Sequence, residues 1–459
     1  MRFRLPSPAS VATNLRDLAR RKPEEAEEYL DAHQTEWEAL AESNPPDAAD
    51  ILEALDEEGA ADLLADLELD EGAEVLNEMR PEAAADVVEE MNAAAAAAYI
   101  EEMEADQAAD LLEALEEDQR EAVLERLSPA VAAAVLSLLK YPKDTAGGLM
   151  TTEIATLPTA MAAGEAIEAL RRLHDELGSN LSYVYVVDDA GRLTGVVSFR
   201  DLTFARPGTP IDAVMVDDPV AVTTETDREI VADLVQRFHL LAVPVVDDDG
   251  TLVGVVRFDE AMEAGRDEAT EDIALTVGAG AEETVFTPVH VSVSRRLPWI
   301  SLNLVVGLII ALLITQFEDL IGDNSILIAY MPLVALVAGN SGAQSLAVVI
   351  RSMAVGDLPR GRATRAVRRE LAVGLINGVF ISVLAGIGGF LLTGDARIGW
   401  VIAIAVMVDF FVAGLAGAGI PVVLRRLGQD PALASHIFLT MLTDVVGFAA
   451  FLITATLLL

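Results

Sequence analysis

The chain has 459 residues, with 74 acidic against 31 basic side chains, a net charge of −43, and no cysteine. That balance repels nucleic acid and attracts cations. The missing thiols exclude disulfides, thiolate metal sites and cysteine nucleophiles together, and five scattered histidines argue against a zinc site.

The charge is unevenly divided. Residues 1–294 carry 65 acidic and 20 basic side chains, whereas residues 295–459 carry 9 and 11, so all the excess sits in the first part. Only three lysines are present, Lys22, Lys140 and Lys143. An acidic surface of the kind that suits high salt accounts for the bulk of this charge and leaves room for a few specific carboxylate clusters. The opening MRFRLPSPAS is basic, but no apolar run follows it, so it does not read as a signal peptide. Residues 1–43 form a lead segment.

From residue 44 to 140 a twelve-residue unit recurs. Its starts are Asp50, Asp62, Glu74, Asp86, Ala98, Asp110, Ala122 and Ala134, each followed by two apolar residues, and Leu or Met stands five residues after each start. A unit this short has one apolar patch, which is buried only by stacking on neighbours, so the repeat predicts short helices in an α-superhelix. Its carboxylates read as solvated scaffold or as a cation-responsive surface.

Residues 141–265 hold a second kind of repeat. Gly148–Thr151, a helical stretch from Glu165 and strand-like runs at Tyr183 and Gly195 form one copy; Val214-Met215, a helix from Glu229 and runs at Ala242 and Gly254 form the other. Alternating β-branched runs bounded by Gly and Asp predict hairpin strands. The order resembles a tandem CBS pair. In such domains a Ser-x-x-Asp stretch often meets adenosine phosphates, which here selects Ser198 and Asp201; the second copy has Arg257 and Glu260 instead. Two readings stay open, a site for ATP or another adenosine nucleotide and a purely structural pair.

Next comes an acidic helix. Asp259, Glu263 and Asp267 are spaced to share one face, with Glu260 beside them. Like charges at that spacing cost stability unless solvent or a cation screens them, so the four are candidates for a regulatory metal site. Residues 266–296 read as a connecting helix and linker.

Five apolar stretches follow, at 297–317, 326–352, 366–392, 398–424 and 437–459, each long enough to cross a bilayer. Arginines cluster before the first, between the second and third, and between the fourth and fifth. The positive-inside rule therefore predicts a cytoplasmic N-terminal part and an external Leu459. Polar residues inside spans are expensive and so usually functional or paired. The second span carries Pro332 and Gly339-Asn340-Ser341-Gly342-Ala343-Gln344; the fifth carries Thr440, Thr443 and Asp444; the fourth carries Asp409. Gly414, Gly417 and Gly419 would let helices approach closely.

Acidic helical repeat, CBS pair, acidic connecting helix and five spans, in that order, resemble the MgtE family of magnesium channels over essentially the whole chain. Met331-Pro332, Gly339-Asn340-x-Gly342-x-Gln344 and Asp430-Pro431-Ala432-x-Ala434-Ser435 leading to Thr443-Asp444 carry the likeness. The family usually has Gly-Pro where His436-Ile437 stand and a second Thr at Met441. The resemblance implies a multidomain protein: cytoplasmic α-superhelical repeat domain, α/β tandem CBS pair, connecting plug helix and all-α five-span membrane domain. It implies a homodimer in the lipid bilayer of the cell membrane with the pore on its two-fold axis, and Thr443-Asp444 matches the family's pore ion site.

Magnesium keeps most of its water and binds through few carboxylates, so one Asp444 from each subunit suits it, with Asn340, Gln344, Thr443 and Thr440 as neutral neighbours. Magnesium is then both cargo and regulator. The competing reading is a membrane-anchored nucleotide or ionic-strength sensor that transports nothing. Enzyme motifs are missing: there is no nucleophile elbow, phosphate-binding Gly-Lys-Ser/Thr or metal-spaced His pair.

Overall fold

The structure is a computed structural model that describes residues 8–177, 183–280, 283, 287, 289–354, 358 and 360–459. The chain divides into two compact units, Met1–Gly265 and Arg266–Leu459.

In the first unit, helices α1 (Pro8–Arg21), α2 (Pro23–Ala32) and α3 (Gln34–Ser43) occupy the described part of the lead segment. They share one core with the repeat that follows: Leu30 and Trp37 are fully buried, and the Trp37 indole donates to the Leu63 carbonyl at 2.8 Å. The repeat itself is α4 (Pro45–Leu52), α5 (Glu57–Ala65), α6 (Leu69–Asn77), α7 (Pro81–Glu89), α8 (Ala93–Glu102), α9 (Ala105–Ala114), α10 (Glu117–Leu124) and α11 (Pro129–Leu138). Every one of these helices starts twelve residues after the last. Proline opens α4, α7 and α11, where its missing N–H costs nothing, and Asp56, Asn92 and Ser128 cap α5, α8 and α11.

Each helix packs chiefly on the next but one: α4 on α6, α5 on α7, and so on to α9 on α11. The apolar pairs, such as Ile51-Leu52, Leu63-Leu64 and Leu111-Leu112, are the buried residues at these contacts. A second device recurs three helices along. Glu53, at the end of α4, accepts from the Arg80 backbone N–H at 2.7 Å, Glu89 from that of Glu116 at 3.0 Å, and Glu101 from that of Ser128. A glutamate from helix n thus satisfies the N-cap residue of helix n+3, where unpaired donors and the helix dipole favour an anion.

The two α/β copies form two sheets. After α12 (Ala146–Leu149) come β1 (Thr156–Pro158), α13 (Ala163–Leu177), β2 (Tyr183–Val187), β3 (Leu193–Ser198), α14 (Phe199–Phe204) and β4 (Val216–Asp217), with sheet order β1-β2-β3-β4. The second copy has β5 (Val222–Thr223), α15 (Arg228–Phe238), β6 (Ala242–Val246) and β7 (Leu252–Arg257), in order β5-β6-β7. In both, the first two strands are parallel and the next pair is an antiparallel hairpin. Gly191 and Gly250 turn the hairpins at φ 79° and 81°, a region that favours glycine. The leading segments exchange partners. Thr151 bridges to Val255 of β7, while β4, just after Met215, pairs with β3. Helix α16 (Phe258–Thr276) follows β7 directly and contains the point at which the two units divide.

The second unit continues with α17 (Val289–Thr315), α18 (Glu318–Asp323), α19 (Leu327–Ala354), α20 (Ala363–Thr393), α21 (Ala396–Arg426) and α22 (Ser435–Leu458). All but α18 are long and apolar enough to cross a membrane. Helix α21 is the most enclosed and packs on α19, α20 and α22, whereas α17 touches chiefly α22 and buries none of its residues. Small residues explain the close contacts: a methyl group at Gly417 would collide with the Gly342 carbonyl, and one at Gly414 would stand 3.2 Å from the Glu370 carbonyl. Gly419 meets open space and is not a contact glycine.

Candidate functional site

Helices α19, α21 and α22 converge around Gly342, whose missing side chain leaves room for Leu439 and for the Ala413 carbonyl. One turn before it, Gly339 faces the Thr443 hydroxyl. Thr443 is fully buried there, and its hydroxyl donates back to the Leu439 and Thr440 carbonyls, each at 3.1 Å. Asn340 and Gln344 stand one turn apart on the exposed side of α19. Asp444 and Thr440 stand one turn apart on α22, both half-buried, with the Thr440 hydroxyl donating to the His436 carbonyl at 2.9 Å. The packing therefore brings the glycine-rich stretch of α19 against the Thr443-Asp444 turn. It leaves two amides and a carboxylate reachable from outside the single chain and closes Thr443 off.

Asp409 lies behind this group on α21. It is fully buried, and among the described residues neither carboxylate oxygen has a hydrogen-bond partner. Its neighbour is Gly447, one turn beyond Asp444, where a methyl group would fall 2.6 Å from Asp409 Oδ2. Asp444 is close enough for its charge to act on Asp409.

At the start of α22 the backbone is unusual. Ala434 adopts the left-handed region at φ 48°, uncommon for a residue with a Cβ, and its N–H donates to the Leu275 carbonyl in the last turn of α16 at 2.9 Å. Nearby, Trp299 packs edge-on against Phe438 with ring centroids 6.0 Å apart, and Gly278 at φ 77° leaves space for Trp299 and Ile437. Glu283 pairs with Arg296; the Arg296 guanidinium and the Ser292 hydroxyl hold its carboxyl down to about 2.

In the first unit, Asp259 and Glu263 are exposed on α16, as is Asp267 just beyond the division. Glu260 points elsewhere, accepting from Arg257 at 3.3 Å and from Gln107 at 3.1 Å. Burial, aided by Asp106 and Asp259 and opposed by Arg257, pushes its carboxyl up to about 7. Burial does the same to Asp110, which also reaches about 7 although Lys143 pulls it down. Among the described residues, no three His, Asp or Glu side chains are grouped so as to hold one metal ion. Ser198 and Asp201 do meet: the serine caps α14, accepting from the Asp201 N–H at 3.1 Å and donating to its carboxylate at 2.6 Å. Asp201 is exposed and Ser198 half-buried. The Arg257 contacts with α9 and the Leu275–Ala434 bond leave no signal in the sequence, since both join residues more than 150 positions apart.

Residues 331–454 match the family model described as a divalent cation transporter, MgtE. Residues 43–144 match the MgtE intracellular N domain, and residues 146–208 and 211–267 each match a CBS domain. A magnesium transporter MgtE of Bacillus subtilis is 33% identical over 323 residues, 70% of this chain and 71% of that one. Its counterpart in Thermus thermophilus is 35% identical over 334 residues, 72% of this chain and 74% of that one. Among solved structures, the cytosolic domain of an MgtE Mg2+ channel in complex with ATP is 34% identical, covering 50% of this chain and 94% of that one at a TM-score of 0.47.

Proposed function

The chain belongs to the MgtE family of divalent cation transporters, and on that footing we propose that it carries magnesium across the cell membrane under the control of its acidic cytoplasmic part. The observation that carries the pore is the polar face of Asn340, Gln344 and the half-buried Asp444 on helices that are otherwise apolar. Polar groups at membrane depth need protein or water beside them, and a second copy of the chain supplies both if the two faces meet across an axis.

Two Asp444 carboxylates then flank one path. Magnesium gives up water reluctantly and prefers octahedral oxygen ligands, so two charges with neutral amides around them hold the hydrated ion without a rigid cage. Asn340, Gln344 and Thr440 line that path, and Thr443 seats Asp444 by packing under Gly339. An anchor without transport would have no use for carboxyls at Asp444 and Asp409, which disfavours the sensor-only alternative.

Control follows from charge. At high internal magnesium, ions screen Asp259, Glu263 and Asp267 and favour the closed arrangement; at low magnesium their repulsion favours the open one. Such a shift requires that the closed state bind ions better. The Leu275–Ala434 bond is the mechanical link, because it ties the end of α16 to the helix that carries Asp444. With the N-terminal part cytoplasmic, five crossings put Leu459 outside. The Ser198–Asp201 turn is the position for an adenosine nucleotide in this scheme, its hydroxyl toward phosphate and its carboxylate toward ribose.

Flux into liposomes holding the purified protein, with internal and external magnesium varied separately, tests the whole reading. Transport that slows as magnesium rises on the cytoplasmic side supports it; no transport at any gradient refutes it.

A further inference from the structure

The second sheet module shares a hydrophobic core with the repeat domain, and at its edge an arginine reaches α9. Arg257 ends β7 and is 20% exposed. Its Nη1 donates to Glu104 Oε2 at 2.6 Å and its Nη2 to Glu260 Oε1 at 3.3 Å, with the carboxylates of Asp259 and Asp106 at 3.8 and 3.9 Å. Gln107 Nε2 donates to the same Glu260 oxygen, so Glu260 is held from both domains. Glu104 is the N-cap residue of α9, and Asp106 and Gln107 lie in its first turn. Asp106 is 5% exposed, and among the described residues its Oδ1 has no hydrogen-bond partner.

The charge count at this junction is lopsided. Among the described residues, Arg257 is the cation that Glu78, Asp106, Glu153 and Glu260 all feel. Glu104 and Asp259 complete the ring. Asp106 is buried and Glu104 and Glu260 are half-buried, and carboxyls so placed repel one another strongly unless a cation sits among them. A guanidinium suits such a place because it stays charged and offers five donors in a planar fork.

Comparison of the two modules shows where this arginine comes from. The turn from β3 into α14 reads Ser198-Phe-Arg-Asp201, and the turn from β7 into α16 reads Arg257-Phe-Asp-Glu260. In the first copy, serine and aspartate bond to each other, Ser198 half-buried and Asp201 exposed. In the second, the same two positions are spent on α9.

We propose that Arg257 is a tethered cation that holds the repeat domain on the second module with or without magnesium, leaving the exposed face of α16 as the place where magnesium acts. The second clause rests on the gating reading above; the first stands on the junction alone. The second module is also closed to an external ligand at its Ser-x-x-Asp position, because α9 already occupies that turn.

Hydrogen exchange on the full-length protein in detergent tests this, following the α9 peptide Ala105–Ala114 in chelator and in millimolar magnesium at matched ionic strength. Wild-type α9 should exchange at the same rate in both. Arg257→Ala should exchange about tenfold faster in chelator and return toward wild type in magnesium, as the uncompensated carboxylates gather a dication. Arg257→Lys should fall between them. Wild-type protection that itself rises with magnesium would mean that the ion, not the arginine, closes the junction. Unchanged exchange in Arg257→Ala, or a loss that magnesium does not reverse, would equally overturn the proposal. If that variant does not fold, Glu104→Gln removes only the shortest bond and should speed α9 exchange in chelator; no change there counts against the latch. Liposome flux measured on the same preparation separates the two readings, since absent transport removes the channel while the exchange data still decide the junction.

Discussion

A carboxylate on a membrane helix persists only where something makes use of it or neutralises it. Asp444 is half-buried beside the exposed Asn340–Gln344 face. Asp444→Asn keeps its shape and removes its charge, so magnesium flux should fall about a hundredfold or more while expression and folding hold. Wild-type flux in that variant would remove Asp444 from the mechanism. Asp409 raises a different question, because its surroundings are shaped to it. Gly447→Ala would push a methyl group to 2.6 Å from the carboxylate in a packed helix pair. Overpacking of this kind costs about 1–3 kcal/mol, which a lower thermal midpoint in detergent would report. Recovery in the double variant Asp409→Ala, Gly447→Ala would show that the two positions are fitted to each other.

At the scale of elements, the twelve-residue period and the paired α/β copies are plain in the sequence, because both are local patterns repeated in register. The five spans are plain for the same reason. Partnerships between distant residues are not. Periodicity says that Ile51-Leu52 are buried but not that α4 packs on α6 rather than α5, and it places Asp259 and Glu260 together although Arg257 and Gln107 turn Glu260 toward α9. The neighbouring Asp444 suggests a pore-lining role for Thr443, yet a helix gives adjacent residues different faces, and Thr443 faces inward.

Helix α16 carries its own test. Neutralising Asp259, Glu263 and Asp267 together removes charges that bound magnesium would screen, and should raise the magnesium needed for closure about tenfold. Closure at the wild-type concentration would leave α16 out of the sensor. Acidity should act on the same unit. Glu260 and Asp110 hold protons up to about 7, so the folded state binds more protons than the unfolded chain between the ordinary carboxyl range and neutrality. Stability therefore declines as pH rises through that window and levels off above it, which denaturant midpoints from pH about 5 to about 8 would register.

For the whole molecule, the proposed pore and the proposed control are separated along the chain. Every pore candidate lies beyond residue 330, and all the excess negative charge lies before residue 295. Removing residues 1–294 should leave a protein that still conducts magnesium but no longer closes when internal magnesium rises. A truncated protein that closes normally would place the sensor inside the membrane domain.

The regular twelve-residue step, with glutamate caps joining α4 to α7, α7 to α10 and α8 to α11, gives the superhelix the character of a screw thread. Each twelve-residue unit advances the chain by one step and rotates it by a fixed part of a turn, so the number of units sets an angle as well as a length. Evolution can add or remove repeats singly only by turning everything downstream, including the first turn of α9 that grips Arg257. Any change in the count therefore has to be matched by a change at that grip.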